Sequence, residues 1–476
     1  MMLDKSQYIA GKIVKGPVLH EVINPATGLK TGVIHAATAN EANNALIEAQ
    51  KCFVNWSSTA VAERVEWMMK LKQAIINNEH ELRMCVHLEM GKSWSSTQGD
   101  YQMLIDSLDY YADLISNRKH KQILAKDGKT THTIMDEPIG VVAAFLAWNF
   151  PLLNLAYKLG PAMAAGCPIV IKPSIKTPLS ACLIGELCAS INLPAGAVSI
   201  VCGDDIEIGD AISTSTIPAL ITLIGSTEVG KHVIAKGSTS IKKYSMELGG
   251  NAPVLVMQDA DIELAADIVA TLKTENAGQI CVAPNRIFVH KDVHDQFVEA
   301  LKSKFEAKNV GFDREEDIDM GPVMDTGAWS RIDGLVKKAV HQGATVVTGG
   351  GRPEGLLEGS FYAPTLLTGV TNNMDICRNE IFGPVASIIA FDELSEVITQ
   401  ANDTDAGLSS YIFTENYDVA NKIARQLRFG EVHINSVNYA INLPHCGLNQ
   451  SGVGVDCSEL ALDDYFATKR ISALKH

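Results

Sequence analysis

Four short segments of this chain are built from residue types that plain packing would not choose: AWNFP (147–151), MELGGN (246–251), NAGQIC (276–281) and EIFGP (380–384). A cysteine closes the third, a glutamate stands before a flexible glycine pair in the second, and an asparagine precedes Phe150 and Pro151 in the first. A cysteine is partly ionised near neutral pH and is a strong nucleophile. A partly desolvated carboxylate can take a proton from water, and an amide N–H can donate to an oxygen that becomes negative. A fifth segment, Ile224-Gly225-Ser226-Thr227-Glu228-Val229-Gly230, closes a strand and opens a helix, where backbone N–H groups and the Ser226 hydroxyl can meet a phosphate. By itself this turn is ordinary, and it is not the GxGxxG dinucleotide fingerprint.

These segments need elements to position them. Apolar residues at helical spacing predict helices over 40–56 and 60–76, with Thr38 or Asn40 as cap. Between 117 and 137 two polar strands flank an Asp127-Gly128 turn, a hairpin signal. From Gly140 short apolar runs (GVVAAFLAW, PIVIK, AVSIVCG, ALITLIG) alternate with helical segments, among them 179–191, the pattern of a parallel sheet buried on both faces. A second alternation follows in APVLVM, RIFVH, a helix with Phe297, Leu301 and Phe305 on one stripe, VASIIAF and SSYIFT. The expected fold is α/β: a doubly wound, Rossmann-like cofactor domain, a second α/β catalytic domain and a small β oligomerisation element. Nucleotides bind where strand ends face such a crevice. The division expected is 1–116 with 138–248 for the cofactor domain, 249–448 for the catalytic domain, and 117–137 with 449–476 for the oligomerisation element.

Composition narrows the function. A chain of 476 residues with 46% hydrophobic and 20% charged residues is long enough for two cores and is folded throughout. The net charge of −15 and the lack of a dense Lys/Arg block argue against nucleic acid and anionic membranes as partners. No apolar run reaches the length of a membrane span, and no secretory signal precedes the first elements. Ten scattered cysteines, with no CxxC pair and no Cys/His ligand spacing, suggest a reducing, cytoplasmic location and no metal site. Nine of them read as small buried hydrophobes.

The four segments in this order, with the spacing between Glu247 and Cys281, resemble the aldehyde dehydrogenase superfamily over nearly the whole chain. The resemblance implies oxidation of an aldehyde to a carboxylic acid by NAD or NADP. Cys281 would be the nucleophile that forms a thiohemiacetal and then a thioester, and Asn149 the oxyanion donor, with the alternative use of capping the helix after it. Glu247 would be the base for hydrolysis. Trp148, Lys172, Ser174, Gly225, Ser226, Gly230, Leu248, Glu380 and Phe382 match cofactor positions, Glu380 and Phe382 at the nicotinamide ribose and ring and Lys172 at the adenosine ribose. Phe150, Asn154, Tyr157, Ile280, Val282, Tyr439 and His445 are expected around the aldehyde.

The chain departs from the family in three places. NAD-preferring members carry a glutamate three residues after the lysine, where this chain has Ile175, so NADP is expected to be accepted alongside NAD. An arginine that reads the distal carboxylate in succinate-semialdehyde relatives is replaced by Tyr157, which, with Asn154 and Tyr439, points to a neutral, apolar or aromatic aldehyde. Finally, Pro444-His445-Cys446-Gly447 puts His445 where an aromatic is usual, and Gly452-Val453-Gly454-Val455-Asp456 puts Asp456 in a stretch that usually reads GxGRE. At His445 a contact to a polar substrate group and a purely structural histidine stand as equal readings, and no catalytic role is assigned. Competing functions are a semialdehyde dehydrogenase, a coenzyme A-acylating dehydrogenase, which characteristically lacks the glutamate present as Glu247, and a retired structural member, which would have lost Cys281, Asn149 or Glu247. A homodimer or homotetramer is expected, with the hairpin and the last strand, 467–474, exchanged as edge strands.

Overall fold

The computed structural model describes residues 2–314 and 316–474. Strands Val141–Phe145, Ile169–Lys172, Val198–Ile200, Pro218–Ile224 and Lys243–Glu247 form the parallel centre of a ten-stranded sheet. Successive residues of one strand feed opposite faces: Val142 and Ala144 join one apolar cluster, Val141, Ala143 and Phe145 another. Burial on both faces is why these strands read as unbroken apolar runs.

The N-terminal helices form at Ala39–Trp56 and Val61–Asn77. Thr38 and Glu41 make a reciprocal capping box at the first. Two further helices, Glu79–Met90 and Thr97–Asn117, pack with Val61–Asn77 on one face of the sheet, and Ala39–Trp56 covers the other. The sequence reading did not foresee Leu3–Ile9, Val18–Ile23 and Lys30–Ala36, which extend the sheet beyond Val198–Ile200. Val18–Ile23 is the outermost of the three, and all mix polar and apolar residues, so neither period stands out.

A seven-stranded sheet runs in the order Thr345–Thr348, Thr365–Thr368, Val385–Phe391, Pro284–His290, Ala252–Val256, Ser409–Phe413, Glu431–Ile434. All neighbours are parallel except the first pair. It too is covered on both faces, with Leu255 and Phe288 in one cluster and Val254, Val256, Ile287 and Val289 in the other. Phe297, Leu301 and Phe305 are the buried stripe of helix His294–Glu306.

The third sheet joins Lys121–Leu124, Thr130–Pro138 and Phe466–Leu474, all antiparallel. Asp127 closes the hairpin by accepting from the N–H groups of Lys129 and Thr130 at 2.8 and 2.9 Å. Hairpin and last strand pair with each other within the chain, residue 466 against 138 through 474 against 130, and Phe466–Leu474 stays an edge strand of this sheet. Not all of 449–476 belongs to this sheet. Gly452 and Val453 pair with Glu247 and Met246 at the edge of the ten-stranded sheet; residues 475 and 476 lie outside the described residues. Among the described residues no helix is long and apolar enough to cross a membrane.

Candidate active site

The strand ends of the two large sheets line one cleft of about 1520 Å³, larger than the ~300–1,000 Å³ typical of a small-ligand pocket. It is lined by every residue expected to act on substrate or cofactor except Gly230. A Cβ at Gly230 would lie 2.7 Å from Leu248 Cδ2, so this glycine lets helix Thr227–Gly237 pack against Leu248, and it does not line the cleft.

Asn149 follows strand Val141–Phe145 and precedes helix Pro151–Ala165. It does not cap that helix: Phe150 is at the cap position and makes no side-chain cap bond. The helix start is served by Asp100, whose carboxylate accepts from Leu153 N at 2.6 Å and pairs with buried Lys92 at 3.2 Å. Lys92 in turn sits 3.3 Å from the Phe150 ring centroid. Thus anchored, Asn149 donates from Nδ2 to the Gln279 carbonyl at 3.1 Å, while Asn154 Nδ2 donates to Asn149 Oδ1 at 3.3 Å. Asn154 therefore orients Asn149 as well as lining the cleft.

The loop that presents Cys281 is held in an uncommon shape. Asn276, Ala277 and Gly278 are consecutively left-handed, with φ of 48°, 54° and 68°. Only Gly278 adopts this without strain, so neighbours must enforce it. Asn276 Nδ2 donates to Asn149 O at 2.8 Å, and fully buried Gln279 bonds Asn276 O through Nε2 and Met324 N through Oε1. Across the cleft, a Cβ at Gly250 would stand 2.1 Å from the Cys281 carbonyl oxygen. Gly250 is thus a close-approach requirement. Cys281 itself is part-buried, and burial first, then the nearby Glu247 carboxylate, push its thiol well up.

Glu247 ends its strand 4% exposed, and its Oε1 finds no hydrogen-bond partner among the described residues. That oxygen lies 3.5 Å from His445 Nε2, and carboxylate, thiol and imidazole offer atoms within 4.8 Å of one another. His445 is at the reacting end of the cleft, 9% exposed, with Nδ1 2.6 Å from Glu431 Oε1. Burial lowers its pKa, but the nearby Cys281 and Glu247 and the hydrogen bond with Glu431 outweigh this and hold it well above the usual value. Its backbone exchanges two 2.7 Å hydrogen bonds with Asp456, whose carboxylate is gripped by buried Lys158 at 2.5 and 2.6 Å. Asp456 therefore fixes the segment that carries His445.

Tyr157 and Tyr439 flank His445, with ring centroids 6.2 and 6.3 Å away. The Tyr439 hydroxyl is engaged with Tyr411 at 2.7 Å and Ser409 at 3.2 Å, which leaves its ring to the cleft. The same Tyr411 hydroxyl donates to the Val282 carbonyl at 2.7 Å and so steadies the Cys281 loop.

At the cofactor end, Phe382, at φ 45°, meets Trp148 edge-on at 5.4 Å. Glu380 Oε1 accepts from Gly250 N at 3.0 Å, and burial raises its carboxyl to about 7. Ser226 caps helix Thr227–Gly237 by accepting from Val229 N at 3.3 Å, leaving its hydroxyl hydrogen to donate. Ser174 Oγ accepts from Lys176 N at 3.3 Å. Asp205, at the first turn of helix Asp205–Thr214, pairs with Lys172 and accepts from Ile175 N at 3.2 Å. The surroundings of Lys172 and Ile175, read from the sequence as lacking a carboxylate, therefore have one, supplied by another element. Lys176 is paired as well, with Asp325 at 2.6 Å. Backbone turn, hydroxyl, paired lysine and acceptor carboxylates fit a dinucleotide.

Sequence reasoning missed Asp205, Glu431, Lys158 and Gln279. Glu431 and His433 alternate with Val432 and Ile434 as in any half-buried strand, and Asp205 follows a helix cap where acidic residues are common, so neither carried a signal.

Comparison with known proteins agrees with this geometry. Residues 15–471 match the profile described as "Aldehyde dehydrogenase family". The mitochondrial succinate-semialdehyde dehydrogenase of Oryza sativa subsp. japonica is 35% identical over 452 residues, covering 95% of this chain and 85% of that protein. The crystal structure of lactaldehyde dehydrogenase from Escherichia coli superposes with a TM-score of 0.96 at 34% identity, covering 99% of this chain and all of that one. A betaine aldehyde dehydrogenase from Staphylococcus aureus, in complex with NAD+, does so with a TM-score of 0.95 at 31% identity, over 100% and 98% of the two chains.

Proposed function

This chain belongs to the aldehyde dehydrogenase family and oxidises an aldehyde with NAD or NADP, and on that premise we propose that Cys281, Asn149 and Glu247 carry the reaction. The Cys281 thiolate adds to the carbonyl carbon, forming the C–S bond and leaving the oxygen negative. The second N–H of the Asn149 amide, not needed for Gln279, donates to that oxygen, a contribution of about 3 kcal/mol to the barrier. When bound, the nicotinamide cofactor would supply the acceptor for the hydrogen and its electron pair on that carbon. The carbon is then a thioester. Glu247 takes a proton from water, whose oxygen adds to the thioester; the C–S bond breaks, releasing the carboxylic acid. Trp148, Lys172, Ser174, Gly225, Ser226, Leu248, Glu380 and Phe382 would hold the cofactor.

The observation that carries this reading is the unpartnered Glu247 Oε1 in a cluster, within 4.8 Å, that includes the Cys281 thiol. A buried carboxylate oxygen without a donor is costly unless a water or substrate meets it. Glu247→Gln should therefore release reduced cofactor in a burst equal to the number of sites and then nearly stop, with an acyl group on Cys281 detectable by mass spectrometry. Steady turnover without acyl-enzyme would refute the assignment, as would acyl release that requires coenzyme A.

The substrate we read as a neutral, apolar or aromatic aldehyde. Phe150, Tyr157, Ile280, Val282 and Tyr439 supply the walls, and the cations lining the cleft are engaged elsewhere: Lys172 by Asp205, Lys176 by Asp325, Lys338 by Asp375, and Arg331 by the carbonyls of Glu380 and Ile381. For the cofactor, Asp205 favours NAD, because its carboxylate suits ribose hydroxyls and opposes a 2′-phosphate. The domain division is the one the sequence suggests, with 452–453 transferred to the cofactor domain. A homo-oligomer built on the three-stranded sheet is supported by its exposed Ile123, Leu124, Ile471 and Leu474. Ten free cysteines suit a cytoplasmic location.

A further inference from the structure

We propose that His445, held by Glu431, takes the proton of the Cys281 thiol, so that the resting enzyme carries a thiolate–imidazolium pair beside Glu247. The inference rests on the reading of Cys281 as nucleophile and adds what activates it.

The need is set by the environment. A buried thiol next to a carboxylate resists ionisation, because both desolvation and the neighbouring negative charge oppose the thiolate. A nucleophile so placed requires an adjacent base or cation, and that base requires a third group to orient it. His445 has both neighbours. Glu431 Oε1 lies 2.6 Å from Nδ1, and an ionised carboxylate only accepts, so the proton sits on Nδ1. The Nε2 lone pair then faces the cluster with Cys281 and Glu247. This is the order nucleophile, imidazole, carboxylate on which acyl-transfer sites of unrelated fold converge.

The proton moves from Cys281 Sγ to His445 Nε2 and no electrons change hands. The sulfur lone pair forms the C–S bond, and the same thiolate is returned when the thioester is hydrolysed. The imidazolium stays between Glu431 and Glu247, so the two carboxylates keep it charged. Glu431 is itself held low: burial opposes this, but hydrogen bonds from His433 and His445 prevail. The other groups facing the ring are Asp456, Cys457 and Cys446 on the tail, Tyr157 and Lys158 on helix Pro151–Ala165, and Tyr439. Lys158 is neutralised by Asp456, so the charges that decide the proton's place are Glu431, Glu247 and the thiol. The rigid mounting of His445 on Asp456 keeps the imidazole from turning away. In this arrangement His445 is a catalytic residue and Glu431 a positioning residue.

The test is the pH dependence of iodoacetamide alkylation at Cys281, followed by peptide mass spectrometry on the cofactor-free enzyme. Thiolate alone reacts, so wild type should alkylate readily at about pH 6, and His445→Phe should be slower there by about three hundredfold or more, with the gap narrowing as pH rises. Recovery at high pH shows that the variant is folded and Cys281 accessible. Glu431→Gln should slow alkylation at about pH 6 by roughly tenfold, and it serves if the phenylalanine variant does not fold. Glu247→Gln, which removes a negative charge from beside the thiol, should move the rate the other way. Equal alkylation by wild type, His445→Phe and Glu431→Gln near pH 6 overturns the proposal, as does a loss in Glu247→Gln as large as in His445→Phe. Loss of the parent reading is separable: it would appear as aldehyde oxidation surviving in Cys281→Ala, whatever the alkylation profile.

Discussion

Asp205 pairs with Lys172 and accepts from the Ile175 N–H at 3.2 Å, so one carboxylate from the start of a neighbouring helix holds both the residue expected at the adenosine ribose and the position where a glutamate was missing. Its removal should loosen cofactor choice. Asp205→Asn keeps the acceptor and removes the charge, and the ratio of kcat/KM for NADP over NAD should rise about tenfold, equivalent to roughly 1.4 kcal/mol. An unchanged ratio would show that Asp205 does not select the cofactor.

Asn154 should matter through Asn149. Its 3.3 Å bond to Asn149 Oδ1 sets the amide so that Nδ2 faces the Cys281 loop. Asn149→Ala is expected to lower kcat by about 10²–10³, and Asn154→Leu by about tenfold with little change in aldehyde KM. A change in KM alone for Asn154→Leu would place it in substrate binding only.

The substrate reading turns on Tyr157. With the cleft cations engaged, an aromatic aldehyde such as benzaldehyde should be turned over with a higher kcat/KM than succinate semialdehyde, and Tyr157→Arg should move the ratio towards the semialdehyde by about tenfold or more, since a buried arginine–carboxylate contact is strong. Clear preference of the wild type for succinate semialdehyde contradicts it.

Glu380 gives a pH dependence whose sign is fixed. Burial raises its carboxyl from the ordinary 4.5 to about 7, so between these values the folded protein keeps a proton that the unfolded chain has lost. Its stabilising share is full below 4.5 and is lost as pH rises through about 7. Cofactor binding has the opposite demand, because a ribose hydroxyl is best held by the ionised acceptor. The KM for NAD should rise as pH falls below about 7, and Glu380→Gln should flatten that profile. An identical slope in the variant would assign the titration to another group.

The Lys158–Asp456 pair should be expensive to break. Both groups are buried, so Lys158→Met leaves a carboxylate without its partner and is expected to cost about 3–5 kcal/mol in denaturant unfolding, whereas the same loss at an exposed pair costs under about 1 kcal/mol. Because Asp456 carries the backbone of His445, a folded Lys158 variant should also lose activity.

Much of this site was legible in the chain because its parts are short, contiguous and made of residues with one chemical use. Asn149, Glu247, Cys281 and Glu380 could be read with their motifs, and the strands that place them were apolar enough to stand out. What could not be read was contact between distant segments. His445 could be put near the reacting end of the cleft, yet its partner Glu431 lies across an irregular loop on a strand of ordinary alternation, and Asp205 was one acid among several at a helix start. Gly230 shows the reverse: a glycine in a plausible phosphate turn whose place is explained by the Leu248 side chain.

The central claim is that Cys281 forms the covalent bond to substrate. The most direct measurement is production of reduced cofactor by Cys281→Ala, with intact-mass analysis of enzyme quenched during turnover. Wild type should carry the acyl mass on the peptide containing Cys281, and the variant should carry none and fall in kcat by about 10⁴ or more. A variant that keeps most of its activity, or wild-type enzyme acylated at another residue, would contradict the account.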